Sequence, residues 1–164
     1  MQKTSHDSET AAHGQQVITA VAFITHDFDG VTKLFMPRRA TTKKFLPGVF
    51  ELPGGHIDYG EELVAGLKRE IKEELGMNIA VSDPFAAFTY LNEVKGSHSI
   101  EVVFFAKFSD PIENISLDPD DHSEYDWFSA EDLPKIQSAN KRGDDPEFIA
   151  IKRGFTLLAE NQKS

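Results

Sequence analysis

The stretch that decides the fold runs from Gly55 to Met77 and reads GHIDYGEELVAGLKREIKEELGM. Its second half carries an apolar repeat of helical period, Leu63, Val64, Leu67, Ile71 and Leu75. The spacing predicts a helix over 61–75. Glu61 and Glu62 in its first turn complement the helix dipole, and Gly76 stops it. With Leu63 at zero and about 100° per residue, the other apolar side chains fall between about 40° and 120°. Glu74 falls near 20°, Glu70 near 340°, Glu73 near 280° and Arg69 near 240° (all roughly, from the same rotation). Glu74 is therefore aimed toward the packed side, with Glu70 beside it and Glu73 at the rim. Three carboxylates one turn apart repel one another, and one facing the core is costly unless it is partnered. A hard cation with oxygen ligands would resolve the conflict. So would the Arg69 guanidinium, through a charge-assisted bond. A solvated acidic face is the competing reading. The helix wheel disfavours it for Glu74 and leaves it open for Glu62 and Glu73.

Upstream, Val17–Thr25 (VITAVAFIT) predicts a buried strand. Asp29-Gly30 predicts a hairpin turn into a second strand, Val31–Met36, which Pro37-Arg38-Arg39 ends. Phe50-Glu51-Leu52 predicts a short strand leading into a Gly54-Gly55 turn, where backbone can approach a ligand closely. His56-Ile57-Asp58 predicts another short strand. Downstream, strands are predicted over Met77–Val81, Phe85–Asn92, Ile100–Phe108 and Glu124–Phe128, with an acidic loop from Ser109 to His122. Ser129-Ala130-Glu131-Asp132 resembles a capping box. A last helix over 147–159 carries Phe148, Ile151, Phe155 and Leu158 on one stripe. Strands and helices mix without regular alternation. The expectation is an α/β (α+β) fold: an α/β/α sandwich around a mixed, largely antiparallel sheet. Residues 1–14 are polar and aperiodic and are expected to form a flexible tail ahead of a single domain over 15–164.

The chain has 164 residues, 40% hydrophobic and 27% charged, which suits one domain with a real core. No apolar run reaches the roughly 18 residues of a membrane span, and the polar N-terminus does not resemble a secretory signal. A net charge of −10 argues against a broad duplex nucleic-acid footprint. The sequence has no cysteine, which excludes a thiol nucleophile and thiolate metal sites and fits a cytoplasmic protein.

The central stretch resembles the Nudix box, G-x5-E-x7-R-E-U-x-E-E-x-G-U, where U is aliphatic. Gly55, Glu61, Arg69, Glu70, Ile71, Glu73, Glu74, Gly76 and Met77 occupy its specified positions. The preceding Leu52-Pro53-Gly54-Gly55 is similar to the family's usual approach to the box. The resemblance implies hydrolysis of a nucleoside diphosphate linked to another moiety, with magnesium or manganese as cofactor. It implies that Glu70, Glu73 and Glu74 are metal-binding and base-bearing carboxylates. It implies that Gly54 lends a carbonyl to the metal, and that Arg69 orients Glu70. We expect Glu70 to be the base and Glu73 and Glu74 ligands. Some members recruit a carboxylate outside the box, and Glu124, ahead of Tyr125-Asp126-Trp127-Phe128, is the candidate here. Many members are homodimers, although no feature of this sequence shows it.

Outside the box, Arg38 and Arg39 are candidates to clamp a phosphate, against the alternative of a surface charge pair. Phe45, Phe50, Phe88 and Tyr90 could stack on a base, although aromatics in strands are more often core. His98 and His122 read as surface residues. Family marks for ADP-ribose, dinucleoside polyphosphate, NADH and coenzyme A substrates are absent or misplaced: Glu93 stands where the first has proline, and Tyr90 comes too early for the second. The chain therefore most resembles the (deoxy)nucleoside triphosphate group, giving a monophosphate and pyrophosphate. A nucleotide-sugar or other NDP-X substrate is the alternative. A non-catalytic nucleotide sensor is the third reading, but such relatives usually lose box glutamates and this chain keeps them.

Overall fold

The computed structural model describes residues 9–137, 141 and 143–162. Part of the expected tail, residues 1–8, lies outside the described residues. Ala12 is buried, and its amide donates to the Lys95 carbonyl at 2.7 Å.

The described residues contain six strands and three α-helices. The strands are β1 (Gln16–Phe28), β2 (Val31–Arg39), β3 (Gly54–His56), β4 (Ile79–Asn92), β5 (Ser97–Phe108) and β6 (His122–Phe128); the helices are α1 (Leu63–Leu75), α2 (Leu133–Ile136) and α3 (Pro146–Gln162). The sheet runs β4-β5-β1-β2-β6. Only the β1–β5 pairing is parallel; the other pairings are antiparallel. The mixed, largely antiparallel sheet is as expected.

β1 is the axis of the molecule. Its side chains alternate between two cores, as strand periodicity requires. Ala20, Ala22 and Ile24 face one core with Leu67, Ile71 and Leu75 of α1. Val21 and Phe23 face the other with Phe148 and Ile151 of α3. Leu67, Ile71 and Leu75 are fully buried, each worth about 1.5–3 kcal/mol of apolar burial. The amphipathic stripe read from the sequence thus fixes α1 to one face of the sheet, and the stripe on α3 covers the other.

Several element boundaries differ from expectation. α1 begins at Leu63, because Glu62 caps it: its carboxylate accepts from the Val64 and Ala65 amides at 3.0 and 2.7 Å. Gly76, with φ 67°, ends the helix as expected. Gly54-Gly55 is not a turn but the start of β3, paired with Val21 and Ala20. The reason is close packing: a Cβ on Gly54 would lie 2.1 Å from the Ala20 carbonyl oxygen. Phe50-Glu51-Leu52 forms no strand beyond one bridge, Phe50 to Arg38. The two strands expected around Ser82-Asp83-Pro84 are one strand, β4, which absorbs Pro84 by shifting register on either side of it. The Ser129–Asp132 capping box is present.

One consequence positions the site. The edge of β1 pairs with β3 over Thr19–Val21 and with β2 over Thr25–Phe28. β3 feeds directly toward α1, so the glutamates of α1 are brought against the Gly54-Gly55 backbone.

Candidate active site

Arg69 organises the acidic face of α1. Its Nε and Nη2 donate to the two Glu61 oxygens at 2.8 and 2.9 Å, a two-pronged pairing that suits the planar guanidinium. Nη2 also donates to the His56 carbonyl at 3.1 Å, tying α1 to β3. Nη1 donates to Glu70 Oε1 at 3.0 Å and to Glu73 Oε2 at 3.3 Å. These partners hold Arg69 firmly in its charged form, with the Glu61 bonds contributing most.

Glu70 is 7% exposed. Burial raises its pKa, Arg69 lowers it, and repulsion from Glu73 and Asp58 raises it again, leaving it at about 7. Glu74 is shifted well above the ordinary glutamate value, first by burial and then by Glu51, Glu70 and Asp121. A single hydrogen bond opposes the shift: the Gly54 amide donates to Glu74 Oε2 at 3.3 Å. Glu73 stays at the exposed rim. The uneven placement of the three glutamates follows the helix wheel.

These groups line a groove of about 580 Å³ that also exposes Gly54, Gly55 and Arg39. Asp118, Asp120 and Asp121, from the loop before β6, line it as well, with Lys43 Nζ 3.1 Å from Asp121. Glu51 is also part of the lining. Burial raises its pKa, but Arg39, 3.4 Å away, and the His122 ring, 2.8 Å away, outweigh that and leave it at about 2. Glu51 is therefore a fixed charge, whereas Glu70 sits near neutrality.

The two arginines part company. Arg39 lines the groove and donates to the Phe45 carbonyl at 2.8 Å. Arg38 does not line it. Its Nη1 donates to Glu124 Oε1 at 3.2 Å, a pair in which both side chains are exposed. Of the expected site residues, Arg38 and Glu124 lie outside the lining of the groove and pair with each other, because in the β2–β6 register they face each other directly. The expectation for His122 is corrected: it is buried against Glu51 rather than at the surface. The sequence reading missed Glu51 and the Asp118–Asp121 wall. A charged residue between two apolar ones, Phe50-Glu51-Leu52, was the available signal for Glu51.

Among the described residues, no three carboxylate or imidazole groups converge tightly enough to enclose an ion as they stand. Arg69 draws Glu70 and Glu73 to itself, and Glu74 turns to the Gly54 amide. The donor set nonetheless fits a hard divalent ion: all carboxylate oxygen, in excess of the available cationic partners, and partly buried. No described helix is long and apolar enough to cross a membrane.

A family model, the NUDIX domain, matches residues 16–150. The chain belongs to the Nudix family. It is 31% identical over 116 residues to the uncharacterized Nudix hydrolase YfcD of Escherichia coli, covering 70% of this chain and 60% of that protein. It is 33% identical over 89 residues to an ADP-ribose pyrophosphatase of Methanocaldococcus jannaschii, covering 54% and 51%. The chain thus spans only about half to three-fifths of these curated relatives. A MutT protein from Methanosarcina mazei shares the fold with TM-score 0.70 and 22% identity, over 92% of this chain and 99% of that one.

Proposed function

We propose that the chain hydrolyses the P–O–P linkage of a nucleoside diphosphate derivative, with a (deoxy)nucleoside triphosphate as the first choice of substrate and a monophosphate and pyrophosphate as products. The observation that carries this reading is the pair of carboxylates, buried Glu70 and half-buried Glu74, beside the Gly54-Gly55 backbone and open to one groove.

Water adds to one phosphorus of the linkage as the bridging P–O bond breaks, and the bridging oxygen leaves with the departing phosphate group. Glu70, at about 7, is matched to accept the proton that the attacking water gives up. Arg69 is the positioning residue that holds Glu70. Glu73, Glu74 and the Gly54 carbonyl would hold magnesium or manganese, which when bound neutralises the diphosphate and acidifies water. Arg39, which lines the groove, would meet the polyphosphate, and Arg38, paired with Glu124, would not. The acidic walls support the metal requirement, since a polyanion would otherwise be repelled.

An NDP-X substrate is the second reading, favoured by the similarity to an ADP-ribose pyrophosphatase. A substrate panel with magnesium separates the two. Coupling to inorganic pyrophosphatase reports the triphosphate reaction, and coupling to phosphomonoesterase reports phosphate-bearing products from NDP-X. If nucleotides bind and nothing turns over under either coupling, the hydrolase reading fails in favour of a sensor.

A further inference from the structure

A second cavity, of about 440 Å³, adjoins the carboxylate groove and shares Phe45, Tyr90, Glu101 and Arg39 with it. Its size is that of a small-molecule site. One wall is aromatic: the Phe45 and Tyr90 rings lie within 13° of parallel with centroids 6.2 Å apart, and Phe88 stands 6.3 Å from Tyr90. The polar feature is Glu101 on β5, 4% exposed, whose Oε2 has no hydrogen-bond partner. A buried carboxyl oxygen left unpaired is costly unless a ligand completes it. Beside it, Glu147 accepts from Lys141 Nζ at 2.8 Å and from the Leu52 amide at 3.1 Å. Burial, and then Glu147, push Glu101 well above the ordinary glutamate value. That shift favours the protonated form of Glu101, and its unpartnered Oε2 is left for a ligand to complete. A flat ring with a hydrogen-bonding edge answers both walls at once.

We propose that this cavity holds the nucleobase of the nucleotide whose phosphates lie along the carboxylate groove, with Phe45 and Tyr90 stacking on the ring and Glu101 bonding its edge. The assignment rests on the hydrolase reading only for where the phosphates lie. Base binding is separable from turnover.

The test is calorimetric titration of the full chain, in chelator, with AMP, GMP, CMP, UMP and, as the base-free control, ribose 5-phosphate. At least one monophosphate should bind about tenfold or more tighter than ribose 5-phosphate, the size expected of one base–aromatic stack. Tyr90→Leu, Phe45→Leu and Glu101→Leu should each erode that preference, while Glu101→Gln, which keeps a donor and an acceptor, retains it. Equal binding of all five compounds by the unaltered protein overturns the proposal, and that comparison needs no variant to fold. So does a preference that survives in both Phe45→Leu and Glu101→Leu. If no base preference exists while P–O–P hydrolysis proceeds, this assignment alone fails. If a base is preferred and nothing is hydrolysed, the catalytic reading alone fails.

Discussion

Gly55 and Glu70 pack so closely that not even a methyl group fits between them: a Cβ on Gly55 would lie 2.5 Å from Glu70 Oε2. The strand before α1 and the carboxylate at its centre therefore shape one another. Gly55→Ala must push Glu70 aside, and the far end of a side chain moves more easily than backbone. Activity is expected to fall on the order of 100-fold, as for a displaced catalytic group, with a smaller loss in denaturant stability. Steady-state kinetics beside urea unfolding checks the split.

Gly54 makes the opposite prediction. It combines a φ of 146° with a Cβ position 2.1 Å from the Ala20 carbonyl oxygen, which is backbone of the central strand. Gly54→Ala should destabilise the fold by more than about 2 kcal/mol. Urea unfolding midpoints for Gly54→Ala and Gly55→Ala, measured together, should rank Gly54→Ala as the less stable.

Glu73→Gln and Glu74→Gln should each reduce kcat on the order of 100-fold or more and weaken magnesium binding. Near wild-type rates and magnesium affinity in both would remove the metal assignment. Arg69→Lys should reduce activity about 10- to 100-fold, as for other residues that orient ligands, because an ammonium cannot span Glu61, Glu70 and the His56 carbonyl together.

Arg38→Ala and Glu124→Gln should leave kcat/KM unchanged and cost at most about 1 kcal/mol, the range for an exposed ion pair. A raised KM in Arg38→Ala would return that residue to the phosphate site.

Stability should depend on pH with two limbs. Glu101 is raised above 4.5 in the folded chain. Its contribution is fully present below 4.5 and is lost as pH rises toward its folded value. Glu51 is lowered to about 2. Its contribution is fully present above the ordinary glutamate value and is lost as pH falls toward about 2. In chelator, Tm should peak near the ordinary glutamate value. Glu101→Gln should flatten the alkaline limb and Glu51→Gln the acid limb, both read by calorimetric scans across pH.

The sequence by itself determined α1, its apolar stripe, the uneven aim of Glu70, Glu73 and Glu74, and the family, because these depend on a rotation of about 100° per residue and on local spacing. It also announced the mixed sheet and the covering helix α3. Only the tertiary structure decided what lies across from the helix. Register between strands far apart in the chain paired Arg38 with Glu124 and took both from the groove. The approach of β3 to β1 turned an expected glycine turn into a strand. The meeting of Glu51 with His122, and of Glu101 with Glu147, joins residues 71 and 46 positions apart. No local pattern encodes such pairs, since burial and neighbouring charge exist only once the sheet has closed.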